Sequence, residues 1–138
     1  MKVLLDTNIW LDIFLNRPGH FEDSAEVLNL AEQGAWDVIL AAHSIPTLYY
    51  LLKKGLGTVQ TKALLSDILI RFQIGELNQK VFISAQKLPI SDYEDALVCE
   101  IAHREGCDAI VTRNQADFKH SLVKSFTPQA FLRKHARH

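Results

Sequence analysis

A chain of 138 residues carrying 15 Lys and Arg against 16 Asp and Glu, net charge −1, has the length of one domain. Folding at this size hides roughly two thirds of the unfolded surface, and a hydrophobic content of 48% supplies a core, so disorder and a small stapled scaffold are both excluded. Near-neutrality also excludes a uniformly basic body that coats nucleic acid, so any polyanion has to be met by a local patch.

The charge is segregated. Residues 1–37 hold seven acids and two bases, 38–91 two acids and six bases, 92–117 seven acids and two bases, and 118–138 five bases and no acid. An acidic pocket ringed by basic segments has this pattern, and so do solvated faces that happen to alternate. Cys99 and Cys107 sit in apolar surroundings without the spacing of a zinc or redox site, which reads as core filler in a reducing cytosol. No apolar run approaches the ~20 residues of a membrane helix, and Asp6 interrupts the first apolar run too early for a signal peptide. The expected protein is soluble and cytoplasmic, with no membrane partner.

In chain order, residues 2–5 read as a short strand ending at Asp6, and residues 8–15 show helical spacing through Ile9, Trp10, Ile13 and Phe14 until Pro18 and Gly19 stop it. An amphipathic helix is predicted over 21–35, ending at Gly34. A buried strand follows over 37–42 by its unbroken Val, Ile and Leu content. Ser44 is placed as the N-cap of a helix through Lys54 that Gly55 and Gly57 terminate, and 58–71 as a second helix. A short strand over 72–74 and a helix over 78–87 come next. Ser91 with Glu94 forms the pattern of a capping box, in which the hydroxyl bonds a backbone N–H and the carboxylate reaches back, opening a helix over 92–105 that Gly106 ends. Residues 109–112 are a clear strand, 121–126 an edge strand, and a last helix begins at Pro128.

Strands alternating with helices predict an α/β fold, a parallel sheet covered on both faces. In such sheets a ligand sits beyond the carboxyl ends of the strands. Asp6 and Asn8 follow the first strand, Asp92 and Asp95 share a face at the start of a helix, and Asp117 follows the 109–112 strand by a few residues. In a parallel sheet these acids can meet at one rim. Converging carboxylates repel unless something positive joins them, and oxygen-only ligands select a hard cation, Mg²⁺ or Mn²⁺. The chemistry implied is hydrolysis of a phosphodiester. Each acid also has a plain structural role open to it: Asp6 as a cap, Asp92 and Asp95 as first-turn acids, Asp117 as a turn residue.

Three segments taken in series, Leu5-Asp6-Thr7-Asn8, Ser91-Asp92-Tyr93-Glu94-Asp95-Ala96, and Ile110-Val111-Thr112-Arg113-Asn114 followed by Asp117-Phe118, resemble the PIN-domain family, the fold of VapC-type toxins of toxin–antitoxin pairs. The resemblance runs from Lys2 to about Phe131, so that 1–138 reads as a single PIN-like domain with a basic tail from about 132. It implies a three-layer α/β/α sandwich with a central, mostly parallel sheet. It implies an Mg²⁺- or Mn²⁺-dependent endoribonuclease in which Asp6, Asp95 and Asp117 match the metal-binding acids, Thr112 and Asn114 the polar residues that close the site, and Asn8 a supporting position. An RNA substrate, a cognate antitoxin and a homodimer are the implied partners. The family usually carries a Glu in the helix after the second strand; here that stretch, Ser44 to Tyr50, holds no acid, and Thr47 occupies the position. Asp92 is the auxiliary acid nearest to hand.

Around these, Arg113 beside the acids, with Lys53 or Lys54, is the candidate for steering phosphate. His43 and His103 are read as surface or core histidines rather than general bases. Tyr49 and Tyr50 offer rings for base stacking, although their place beside Leu51 and Leu52 favours the core for at least one. The tail, Arg133, Lys134, His135, Arg137 and His138, is either a phosphate contact or a solvated end. The missing Glu motivates a second reading, a silent PIN-like module that binds RNA or protein. A phosphoacceptor receiver domain is the third, and it lacks a well-placed late-strand Lys, since Lys119 stands in the wrong place for that role.

Overall fold

The computed structural model of the chain describes residues 1–136. The apolar runs predicted as strands pair into one five-stranded sheet. β1 (Lys2–Leu5) lies at its centre between β2 (Asp37–Ala41) and β4 (Ala109–Val111), with β3 (Gln73–Gly75) and β5 (Ser125–Phe126) at the edges, in the order β3-β2-β1-β4-β5. Every pairing is parallel, and Val3 stands opposite Val38 on one side and Ala109 on the other.

Successive strand residues face opposite sides of the sheet, and each side is roofed by helices. Val3, Leu5, Val38, Leu40 and Val111 pack with Trp10 of α1 (Thr7–Phe14), Val27 of α2 (Phe21–Glu32), Leu48 and Leu52 of α3 (Ser44–Arg71), and Phe131 of α6 (Pro128–His135). Leu4, Ile39, Ala41 and Ile110 pack with Val81 and Ala85 of α4 (Gln79–Gln86) and Ala96, Leu97 and Ile101 of α5 (Tyr93–Arg104). The result is the three-layer α/β/α sandwich expected, and burial on both faces is why the strands read as unbroken apolar runs. Cys99 and Cys107 are buried free thiols, pushed up to about 11 and about 12 by burial, as filler should be.

Several boundaries differ from the sequence reading, each for a local reason. Residues 33–35 leave α2 because Gly34 takes a left-handed turn (φ 93°). The two helices predicted over 44–54 and 58–71 form one helical run broken only at Gly57, whose φ of 80° and ψ of 168° belong to a region that glycine alone enters without strain. Ser44 is the first residue of α3 rather than its cap, and its Oγ lies 2.7 Å from Thr7 Oγ1, tying α3 to α1. The edge strand predicted over 121–126 shrinks to Ser125–Phe126; Ser121 Oγ accepts from the Val123 N–H at 3.1 Å and bends the segment before it. The capping box at Ser91 does not form. Asp92 is the N-cap of α5, its Oδ1 accepting from the Asp95 N–H at 2.9 Å. Of the predicted tail, residues to His135 lie in α6, while Arg137 and His138 fall outside the described residues.

Candidate functional site

β1 runs out at Asp6, and the backbone there still belongs to the sheet, since the Asp6 N–H donates to the Val111 carbonyl at 3.0 Å. Asp6 is the N-cap of α1, its Oδ1 accepting from the Thr7 N–H at 2.8 Å. The role of a helix cap and a place at the sheet's carboxyl edge therefore fall on the same side chain. Its other oxygen accepts from Thr112 Oγ1 at 2.8 Å, and Thr112 Oγ1 in turn accepts from the Asn114 N–H at 3.1 Å. The two strand ends are thereby locked together through a buried hydroxyl, Thr112 being 0% exposed. Burial pushes the Asp6 carboxyl up from its ordinary range, and the bonds from Thr112 and Thr7 pull it part of the way back.

Facing Asp6 across a cleft of about 180 Å³ is the first turn of α5. The cleft is lined by Asp6, Asn8, His43, Thr47, Glu94, Asp95 and Asn114, with Thr7, Leu11 and Val98 completing the wall. Asp95 is half-buried and its carboxyl is pushed up to about 7, first by burial and then by the negative charges of Asp92, Asp6, Asp117 and Glu94. His43 is lowered by burial, with the charge and backbone of Glu94 and the charge of Asp6 pulling the other way. Asn8 Oδ1 and His43 Nδ1 are buried and take part in no hydrogen bond among the described residues. Thr47 Oγ1 donates to the His43 carbonyl at 3.2 Å, one turn back along its own helix.

The structure thus brings Asp6, Asn8, Asp95 and Asn114 to one cleft, with Thr112 behind Asp6 and Asp117 close enough for its charge to act on Asp95. Asp92 does not line the cleft; one of its oxygens is spent on capping α5. Arg113 turns away from the acids. Its Nε lies 2.8 Å from Oδ2 of Asp12, a fully buried α1 residue that also pairs with Arg17 at 3.5 Å, and its Nη1 lies 3.4 Å from His20 Nε2. Lys53 and Lys54 are exposed and stand outside the cleft, with Lys53 Nζ 5.3 Å and 5.8 Å from the centres of the Tyr49 and Tyr50 rings. Tyr49 is partly buried and Tyr50 64% exposed, so the pair divides between core and surface.

His43, read from the sequence as a surface or core histidine, lines the cleft, and so does Glu94, which sequence reasoning assigned elsewhere. Its spacing from Ser91 suggested a cap, whereas Asp92, an equally good capping residue one position on, starts the helix instead. The donors that line the cleft are oxygen atoms apart from one imidazole, and Asn8 offers a buried carbonyl oxygen with nothing bonded to it. That set fits a hard divalent cation whose remaining positions are filled by water and substrate oxygens. Among the described residues, no group of three or more His, Cys, Asp and Glu is gathered tightly enough to enclose a metal by itself.

An α/β/α sandwich with carboxylates, amides and a threonine hydroxyl gathered at the carboxyl ends of its central strands defines the class. Residues 2–116 match the family model of the PIN domain, and the chain belongs to that family. It is 26% identical over 141 residues to Ribonuclease VapC1 of Aquifex aeolicus (strain VF5), covering 96% of this chain and 94% of that protein. In fold it is similar to a chain of VapBC2 from Rickettsia felis bound to a promoter DNA fragment, with a TM-score of 0.72 at 20% identity, covering 92% of this chain and 98% of that one. A chain of a toxin–antitoxin complex from Klebsiella pneumoniae gives a TM-score of 0.69 at 23% identity, covering 91% and 97%.

Proposed function

We propose that the protein, acting as one domain over its whole length, is a cytoplasmic endoribonuclease dependent on Mg²⁺ or Mn²⁺ and the toxin half of a toxin–antitoxin pair. The observation that carries the reading is the cleft itself: Asp6 and Asp95, distant in sequence, line one space with two amides, and Asp95 stands among like charges that a cation relieves. The likeness to a ribonuclease over nearly the full length of both chains supports RNA as substrate. The likeness to chains of toxin–antitoxin complexes supports an antitoxin partner.

In this reading Asp6, Asp95 and Asp117 hold the cation, which when bound stabilises charge on the phosphodiester oxygens and makes water a better nucleophile. Thr112 fixes the rotamer of Asp6 by donating to it, so that the carboxylate needs no rearrangement when substrate arrives. Asn8 and Asn114 present polar groups to the same space and orient what enters it. Lys53 and Lys54 draw the RNA backbone toward the rim. Arg113, tied to Asp12, acts mainly by holding the loop that carries Thr112 and Asn114, and its partly exposed guanidinium is left to touch phosphate only at its outer edge.

The test is incubation of structured RNA with Mn²⁺ and either the native protein or Asp6→Asn. Cleavage should fall by at least a hundredfold in the variant, and equal cleavage by both would remove the assignment. A second reading, a silent binding module, is favoured by one feature, the neutral Thr47 with its proton committed to the His43 carbonyl. Calorimetric titration with Mn²⁺ separates the two, since a silent module shows no saturable binding below millimolar metal.

A further inference from the structure

Resting on that reading, we propose that Glu94 supplies the acid that α3 lacks, entering the cleft from the first turn of α5 on the side of Thr47 and holding the divalent cation directly or through one water. The family resemblance puts a carboxylate in the helix after β2. In this chain that helix presents Thr47, and a hydroxyl whose proton goes to a main-chain carbonyl offers only neutral lone pairs. Across the same cleft stands Glu94.

Three observations release Glu94 for this role. Asp92 is the cap of α5, so Glu94 is the second residue of the helix rather than the third, out of register for the reciprocal bond of a capping box. Among the described residues the Glu94 carboxylate enters no salt bridge, whereas Glu100 on the same helix is paired with Arg104. Glu94 is an exposed residue that lines the cleft, free to solvent rather than locked into a packed wall, and its charge acts on both His43 and Asp95. The unbonded, buried Asn8 Oδ1 in the same cleft is a further oxygen waiting for an electropositive partner. An acid on α5 in place of one on α3 restores the charge of the cluster from another wall of the same cleft.

The experiment measures Mn²⁺ binding to the whole protein by calorimetry and by the paramagnetic resonance of free Mn²⁺, with melting curves in EDTA to verify folding. Native protein, Glu94→Gln, Asp95→Asn and the double variant Thr47→Glu with Glu94→Gln are compared. Glu94→Gln should weaken Mn²⁺ at least tenfold without lowering the EDTA melting temperature, and adding Thr47→Glu should recover most of that loss. Native affinity in Glu94→Gln, alongside weakened binding in Asp95→Asn, overturns the role of Glu94 and leaves the nuclease site standing. A tenfold loss that Thr47→Glu does not recover overturns the claim that one acid replaces the other. Equal Mn²⁺ binding by native protein and Asp95→Asn defeats the site assignment itself, and the inference with it.

Discussion

Asp95 carries the electrostatic cost of the site. Its carboxyl is raised to about 7 in the folded protein by burial and by four neighbouring acids, against about 4 in an unfolded chain. Between these values the folded state holds a proton that the unfolded state has released, so stability falls as pH rises from about 4 to about 7 and stays low above that. In metal-free buffer the melting temperature should therefore decline across that window. Asp95→Asn should flatten the decline and melt several degrees higher at pH 8, at about 2–4 °C for each kcal/mol relieved; Mn²⁺ should raise the native protein's melting temperature more than the variant's. A melting temperature independent of pH in both proteins would contradict the electrostatic picture. At this scale much was legible: Asp6, Asp95, Asn8 and Asn114 were picked out from sequence and share the cleft. Asp92 and Glu94 exchanged roles, because two good capping residues stand side by side and local spacing cannot choose between them.

Among the elements, α3 shows how much a single backbone angle decides. Its two helical segments are joined through Gly57, whose φ of 80° with ψ of 168° no side-chain-bearing residue adopts cheaply, whereas Gly55 lies within helical backbone and a Cβ there would meet nothing nearer than Leu15 Cδ2 at 4.0 Å. Gly57→Ala should cost about 1–3 kcal/mol, and Gly55→Ala should stabilise by about 0.5–1 kcal/mol through the unfolded chain's lost freedom; urea unfolding of both variants distinguishes the two effects. Equal destabilisation would mean that the break does not depend on Gly57. The glycine-marked interruption and the alternation of strands with helices along the chain were readable because each rests on local chemistry. The overlong edge strand was not: residues 121–124 contain Leu122 and Val123, but a Ser121 hydroxyl bond bends them before the ladder begins.

For the whole molecule, α3 also leaves Val59 86% and Ile70 83% exposed, two large aliphatic residues that suit the homodimer the family resemblance implies. Ile70→Glu should reduce the mass measured by light scattering from dimer to monomer, with thermal stability of the separated chain little changed because an exposed position is altered. A native protein that elutes as a monomer at micromolar concentration would remove the dimer. The chain's own order of apolar runs, caps and glycines determined the elements, their alternation and the family, since these depend on neighbours within a few residues. Which side chains meet was decided only by the fold. Thr112 donates to Asp6 across 106 residues because β4 lies beside β1, Arg113 turns to Asp12 because α1 leaves β1 on that side, and Glu94 lines the cleft from an α5 that Asp92 caps. A contact of that kind depends on strand order and helix register together, and no short stretch of sequence contains both.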